Sequence, residues 1–341
     1  MSYFEENVPR RPEIVSGLFR EGQIITFAGA FNVGKTPLLA DLAVHIATGE
    51  SWCGHAVARR PVIHFDFESS DPDFRRTYRN IAGHLGVTVR VPEDVQPFLI
   101  SGDAANSRTK RLLGITTGPK MFDLLRELLK ATPTALILFD PIEMAFPLDV
   151  MHKPTLLRLY RTFRELLAEY PHSAVLNTHN LRKDARQGRQ MPDLMLEPHA
   201  WLQEISGNMD LINRSDVRMG VNRYNDNVIV VNGARRGEEM HPMLLSPIDD
   251  NPDELAGFKS IITAKQDISK MLSKAQFEYW NKLADRFQFS DYANNGIPKS
   301  SLSRLLNRCT SLGFLVSDGT YHVKTTAAHT VLEPMEITVD L

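Results

Sequence analysis

A chain of 341 residues holds about two domains at roughly 150 residues apiece. Its 43% hydrophobic and 23% charged residues support a packed core and exclude wholesale disorder. With 39 Lys and Arg against 41 Asp and Glu, the net charge of -2 excludes a histone-like polycation, though not a locally basic face.

Residues 1–13 are polar and Pro-containing and read as an N-terminal arm. The run from Ile24 to Ala28 ends at Gly29 and predicts a buried strand followed by a turn. Leu38, Leu39, Leu42, Ala43 and Ile46 recur at helical spacing over 37–48, and Gly49 suits the C-cap. A second strand is predicted at Val62 to Phe67, a helix at Phe74 to Leu85, and another helix at Lys120 to Lys130. Further strands fall at Ala135 to Phe139 and Ala174 to Thr178, with a helix from Leu156 to Glu169 between them. Strands at Val217 to Asn222 and Val228 to Asn232 close the series. Alternating strands and helices predict an α/β fold with a mostly parallel central sheet covered on both faces.

After Leu245 the composition turns acidic and Pro-containing, through Ser246-Pro-Ile-Asp-Asp-Asn-Pro-Asp-Glu, so 247–270 reads as a linker from a core at 14–246 to a small domain at 271–326. A helix is predicted from Lys274 to Phe287, and residues 327–341 form a tail with little periodicity. Cys53 and Cys309 lie far apart without a metal-ligand pattern and read as reduced thiols. Met1 to Arg20 lacks a signal peptide's apolar core, and no run approaches the roughly 18 apolar residues of a membrane span. The expectation is a soluble cytoplasmic protein that makes no membrane contact.

The sharpest motif is Gly29-Ala-Phe-Asn-Val-Gly34-Lys35-Thr36, which fits G-x-x-x-x-G-K-[ST] without a mismatch. A polyphosphate needs converging backbone N–H groups, a cation and a hydroxyl on Mg²⁺. Here the loop from Gly29 through Asn32, Val33 and Gly34 to Pro37 supplies the cradle, Lys35 the charge and Thr36 the hydroxyl. The strand before and amphipathic helix after are the context this motif requires, and they set the match apart from a chance strand–helix turn. Pro37 suits a first helical turn but removes an N–H that could face a phosphate.

Asp140 ends the apolar run Ala135-Leu-Ile-Leu-Phe and is expected to hold Mg²⁺ opposite the loop. Pro141 follows it, so an Asp-Glu pair is absent there. Strand alternation in His64-Phe-Asp66-Phe-Glu68 puts both acids on one side, with Glu68 nearest the phosphates. Glu68 is therefore the expected water-activating base, and Glu143 the reserve.

These features resemble the RecA-like ATPases, in particular plasmid-replication helicases of the RepA type and the related AAA_25 proteins. The resemblance spans roughly Ile14 to Ser246. It begins at Ser16-Gly-Leu-Phe-Arg-Glu-Gly22-Gln and continues through the Ala47-Thr-Gly49 ending and Arg60-Pro-Val-Ile-His-Phe-Asp-Phe-Glu68. It implies a ring, usually a hexamer, with ATP between neighbouring subunits and single-stranded DNA in the central channel. It also implies that His179, in Val175-Leu-Asn-Thr-His179, senses the γ-phosphate, although Thr178 stands where the family often has a second His. A lone His at a strand end is otherwise a satisfied structural residue. The stretch with Arg182, Lys183, Arg186 and Arg189 reads either as a channel loop gripping phosphates or as a solvated loop. Arg235 or Arg236 is the implied finger into a neighbour's site, unless the pair caps a surface hairpin. Ile205-Ser-Gly-Asn-Met-Asp210 resembles the family's Gly-Ser segment, and Gln190 to Gln203 has no role legible in sequence.

Phe289 to Lys324 resembles a winged helix, with a hairpin around Asp318-Gly319 as the wing. Leu302, Leu305, Leu306 and Cys309 face inward, and Lys299, Ser300, Arg304 and Arg308 are the expected duplex contacts. From Met271 to Lys324 seven Lys and Arg against four Asp and Glu leave +3, which suits phosphate contact but also a protein interface. The sequence therefore points to an ATP-hydrolysing, DNA-dependent motor of a plasmid, phage or mobile element. The other reading is a DNA-binding, regulatory or loader ATPase that assembles without unwinding.

Overall fold

The computed structural model describes residues 10–90, 94–99, 119–146, 152–181, 192–194, 197–207, 209–225, 228–235, 238–240, 242–248, 255–260, 274–293, 297–311, 314–317 and 321–324. A small hairpin of β1 (Glu13–Val15) and β2 (Phe19–Arg20) leads into β3 (Ile24–Gly29), α1 (Lys35–Thr48), β4 (Val62–Asp66), α2 (Asp71–Leu85) and β5 (Val95–Leu99). Next come α3 (Pro119–Ala131), β6 (Leu136–Asp140), α4 (Ile142–Ala145), α5 (Lys153–Glu169) and β7 (Ala174–Asn180). Two short helices, α6 (Pro198–Leu202) and α7 (Asp210–Asn213), precede β8 (Val217–Asn225), β9 (Val228–Arg235), β10 (Glu238–Glu239), β11 (Met243–Pro247) and β12 (Phe258–Ser260).

The main sheet runs β12-β11-β9-β8-β3-β7-β6-β4-β5, with β10 beside β9. From β8 to β5 every neighbouring pair is parallel, and β9, β11 and β12 add an antiparallel edge. The result is a mixed α/β architecture with a large central sheet and flanking helices, consistent with a RecA-like or AAA core. Its central strands are buried along their whole length, as expected of parallel strands covered on both faces. Side chains of one strand feed two different cores alternately. Ile25, Phe27, Leu136, Leu138 and Leu176 pack with Leu38, Leu39 and Leu42 of α1. Ile24, Ala28, Ile137, Phe139 and Val175 pack with Leu125 of α3 and with Leu159 and Phe163 of α5. On that second face Phe139 lies 5.1 Å from Phe65, 5.6 Å from Phe146 and 5.9 Å from Phe163, ring centre to ring centre.

β3 is flanked by β7 and β8, yet its chain continues through α1 to β4, beyond β7 and β6. Ligands of open α/β sheets bind at such a switch point, at the carboxyl ends of the strands. Gly29, Asp66, Asp140 and Asn180 are the last residues of β3, β4, β6 and β7, so four candidate site elements converge on one edge.

Several predicted boundaries shift. The second helix starts at Asp71, not Phe74, because the Ser70 hydroxyl caps the Asp73 amide and Asp71 and Asp73 complement the helix N-terminus. The sheet reaches past the expected end of the core at Ser246. Within the stretch read as linker, Pro247 pairs with Phe258, which is buried, and Lys259 pairs back with Ser246 at the end of the expected core. The acidic and Pro content at 249–254 hides the short strand that follows it in the sequence. The stretch 190–203 also acquires a role. Trp201 is fully buried, Leu194 packs beside it, and the Asn232 amide donates to the Leu194 carbonyl at 3.0 Å, so these two described residues roof β8 and β9.

Beyond residue 273 the elements are α8 (Lys274–Trp280), β13 (Arg286–Gln288), α9 (Phe289–Ala293), α10 (Lys299–Ser311), β14 (Leu315–Ser317) and β15 (Tyr321–Lys324). The helix predicted over 274–287 therefore stops at Trp280. Residues 286–288 instead pair with Tyr321 to Val323 in a three-stranded antiparallel sheet, because Phe287 fills the apolar centre while Arg286 and Gln288 turn outward. On α10, Leu302, Leu305, Leu306 and Cys309 are buried, and Lys299, Ser300 and Arg304 are exposed. Lys324 is buried, donates to the Leu283 carbonyl at 2.7 Å and lies 4.8 Å from the centre of the Trp280 ring.

Candidate nucleotide site

The loop from β3 to α1 is shaped by local backbone needs. Asn32 (φ 59°) and Gly34 (φ 98°) are left-handed, and Gly34 caps α1 without a side chain, so the amides of a 14-residue helix face outward with no side-chain cap. A helix N-terminus in this condition favours an anion. Gly29 has no room for a side chain. A Cβ there would lie 2.9 Å from both the Val221 carbonyl oxygen and Val33 Cγ1. Lys35 is buried, and its ammonium donates to the carbonyls of Gly29 (3.1 Å) and Ala30 (2.9 Å) and to Asn180 Oδ1 (2.9 Å). Burial lowers its pKa, opposed by the charges of Asp140, Glu68 and Glu143. The loop opens on a cleft of about 660 Å³ lined by Phe31, Asn32, Lys35, Thr36, Asp66 and Glu68, among others. Pro37 lines the same cleft.

The acids occupy the neighbouring strand ends. Asp140 is buried and accepts a hydrogen bond from the Thr178 hydroxyl, with Thr36 beside it. Burial, reinforced by the charge of Asp66, pushes its pKa up to about 7. Glu68 does not continue the strand alternation expected from sequence. β4 ends at Asp66, whose Oδ1 accepts from the amides of Glu68 (2.8 Å) and Ser69 (2.9 Å). That turn lifts Glu68 to the exposed rim of the cleft while Asp66 stays buried. Partial desolvation raises the Glu68 pKa, the Lys35 charge lowers it, and Asp66 and Glu143 raise it. Thr36 and Asp140 suit a divalent cation. They present hard oxygen donors, and Asp140 Oδ2 is buried without a hydrogen-bond partner.

His179 is buried, with Nδ1 against Glu143 Oε2 (3.1 Å) and Nε2 against the Ser206 carbonyl (2.6 Å). Both ring nitrogens face acceptors, which calls for two donors and hence the imidazolium form. Burial draws its pKa down, but hydrogen bonding to Glu143, that residue's charge and the Ser206 carbonyl together raise it. Glu143, the reserve base, is thus engaged with His179. The structure also brings in residues that sequence reasoning missed. Asn180 holds Lys35, and Arg223 on β8 donates to the Asn32 carbonyl at 3.3 Å, a cation beside the phosphate loop. Asn180 follows His179 in the sensor-like stretch but had no role assigned from sequence, and Arg223 belongs to no motif. Only the parallel register of β7 and β8 against β3 reveals them.

Arg182, Lys183, Arg186, Arg189 and Arg236 lie outside the described residues, and for Arg235 and Arg308 only the backbone is described. Arg235 pairs with Val217, which in turn pairs with Ile25, four residues before Gly29. At about 3.3 Å per residue this sets Arg235 some 13 Å toward the opposite edge of its own sheet. Lys299, Ser300 and Arg304 lie on the exposed side of α10. Among the described residues no cluster of three or more His, Cys, Asp or Glu could hold a metal, and no helix is long and apolar enough to cross a membrane.

No curated protein matches the chain. The sequence profile of the AAA_25 family, described as an AAA domain, matches residues 2–186, more than half of the chain. The matched span contains the phosphate loop, Glu68, Asp140 and His179, the residues that converge at the strand ends. On that span and that geometry, the chain belongs to the AAA_25 family of AAA domains and is a nucleotide-hydrolysing P-loop ATPase.

Proposed function

We propose that this ATPase is a DNA-dependent motor, a ring-forming replicative-type helicase of a plasmid, phage or mobile element, hexameric as its resemblance implies. The observation that carries the reading is the linkage at the end of β7. There Asn180 holds the phosphate-loop Lys35, while the adjacent His179 ties Glu143 to the Ser206 carbonyl. A side chain at the phosphate edge is thereby joined to the segment leading into β8, as a device coupling nucleotide state to DNA grip requires.

In this reading Lys35 and the α1 amides hold the β- and γ-phosphates of ATP, and Thr36 and Asp140 hold Mg²⁺. The cation supplies charge neutralisation on the phosphate oxygens. Glu68 takes the proton from the water that attacks the γ-phosphorus, the bond to the β-phosphate oxygen breaks, and ADP and phosphate leave. Its raised pKa suits a group that must both accept and release a proton. His179 senses phosphate loss through its pair with Glu143. Single strands pass the basic stretch Arg182, Lys183, Arg186 and Arg189, and Arg235 or Arg236 serves a neighbouring subunit's site. The distance of the Arg235 backbone from its own loop supports action in trans. The helix–helix–hairpin order after residue 288, with Lys299, Ser300 and Arg304 exposed on α10 and Arg308 on the same helix, supports a winged-helix module meeting duplex DNA.

A DNA-binding or loader ATPase without unwinding is the second reading, favoured by Pro37, which removes one amide from the turn that faces the phosphates. ATPase and strand-separation assays with and without single-stranded DNA decide between them. The motor requires stimulated hydrolysis with unwinding. Glu68→Gln should then lose about 10²-fold or more in turnover while still binding ATP, and Lys35→Ala should lose nucleotide-dependent assembly. Binding without unwinding, unaltered by Glu68→Gln, would sink the motor reading.

A further inference from the structure

Asp66 and Asp140 stand directly opposite one another in the parallel register of β4 and β6, so their side chains leave the same face of neighbouring strands about 4.8 Å apart. Both are fully buried, at 0% and 1% exposure. Each has one oxygen satisfied and one without a partner. Asp66 Oδ1 takes the Glu68 and Ser69 amides, and Asp140 Oδ1 takes the Thr178 hydroxyl. Asp66 Oδ2 and Asp140 Oδ2 are buried with no hydrogen-bond partner. Two adjoining buried carboxylates repel each other and lose hydration, a cost that in proteins is normally met by a cation.

Lys35, the nearby cation, makes no hydrogen bond to either carboxylate. The three donors of Lys35 are used by Gly29, Ala30 and Asn180. His64, two residues before Asp66 on the same strand face, is engaged with the Tyr78 hydroxyl at 2.7 Å and makes no ion pair with either carboxylate. Mg²⁺ is typically held by one or two carboxylates plus waters and phosphates, which is what two orphan oxygens beside the Thr36 hydroxyl provide.

We infer that Asp66 supplies the second carboxylate of the divalent-cation site formed by Thr36 and Asp140, and that the same side chain couples cation occupancy to the position of Glu68. Its two oxygens divide the work. Oδ2 faces the cation beside Asp140, and Oδ1 holds the turn that carries the water-activating carboxylate. A cation held by Oδ2 offsets the repulsion between Asp66 and Asp140 and so steadies the carboxylate whose Oδ1 carries the Glu68 turn. The inference rests on the nucleotide-site reading above and extends it to a residue outside the phosphate-loop motif.

The test separates the two oxygens. Asp66→Asn keeps an oxygen to accept the Glu68 and Ser69 amides but replaces the cation-facing oxygen with an amide that can donate to Asp140. Mn²⁺ binding to the full chain is followed by the electron paramagnetic resonance of free Mn²⁺, with and without ADP, and ADP binding is measured separately in EDTA. Asp66→Asn should weaken Mn²⁺ by roughly 10- to 100-fold while ADP affinity in EDTA stays within about twofold and the metal-free melting temperature is unchanged or higher, because the amide removes the carboxylate repulsion. Should Asn at this position fail to fold, Asp66→Ser, whose hydroxyl can still cap the turn, enters the same titration. Wild-type Mn²⁺ affinity in the folded variant overturns the inference and leaves a proton shared between the carboxylates as the account of the pair. A wild-type chain that binds ADP but not Mn²⁺ also overturns it. A wild-type chain that binds no ADP removes the nucleotide reading itself.

Discussion

His179 illustrates how a single residue is set by its neighbours. Its sequence context offers a lone histidine at a strand end, and its structural context offers two acceptors and a buried position. The folded pKa lies above the ordinary value near 6.5. Protonation therefore contributes stability that is fully present below about pH 6.5 and is lost as pH rises through the folded value. The difference in unfolding free energy between the native chain and His179→Gln should accordingly shrink as pH rises above about 6.5 in urea titrations. Glu143→Gln should flatten that pH dependence, since the pair is its source. A difference that grows with pH would mean the imidazole is buried neutral and has no part in charge sensing.

At the scale of elements, two glycines separate backbone preference from packing. Gly220 in β8 lies under the segment that contains Leu194 and α6. A Cβ there would come within 2.5 Å of Leu194 Cδ1 and of the Trp201 ring. Trp201 is wedged without exposure and cannot retreat, so Gly220→Ala should destabilise by about 1–3 kcal/mol. Gly83 in α2 faces open space, and Gly83→Ala should stabilise by about 0.5–1 kcal/mol through helix propensity. Chemical denaturation of both variants checks the pair. If Gly220→Ala were neutral, the roof over β8 and β9 would be loosely held.

For the whole molecule, the main question is where the ATPase core ends. The strand pair β11–β12 brings Phe258 into the core on the α1 face, and the Ile248 amide donates to the Gly257 carbonyl at 2.9 Å. Gly257 has φ 114° and passes so close to Asp41 of α1 that a Cβ would meet its Oδ1 at 2.3 Å. A chain ended after Ser260 should therefore unfold cooperatively and keep nucleotide affinity. One ended after Ser246 strips β12 from the sheet, exposes a paired edge and should aggregate or melt lower. Size-exclusion profiles and thermal melts of the two fragments measure this. Equal behaviour would return the boundary to Ser246. At the same scale the net charge of -2 is divided unevenly, with Lys299 and Arg304 exposed on α10, far along the chain from the acidic stretch at 249–254.

Much of the fold was legible before any tertiary information. Short apolar runs bounded by turn residues, such as Ile24 to Ala28 and Ala135 to Phe139, fit strands buried on both faces, and the helices between them carry the 3.6-residue stripe. The phosphate loop was equally legible, because its chemistry depends on contiguous residues whose backbone and side chains act together. Short edge strands such as Phe258 to Ser260 and Arg286 to Gln288 were not, since three residues carry too little pattern to outweigh their polar surroundings. Asn180, Arg223 and the pairing of Asp66 with Asp140 were also out of reach. Their meaning comes from packing between segments 74 to 191 residues apart in sequence. Local chemistry determined which loop would hold a phosphate. Only the packing of β3, β4, β6 and β7 side by side decided which carboxylates, amide and imidazole would surround it, because burial and opposing charge act through space and not along the chain.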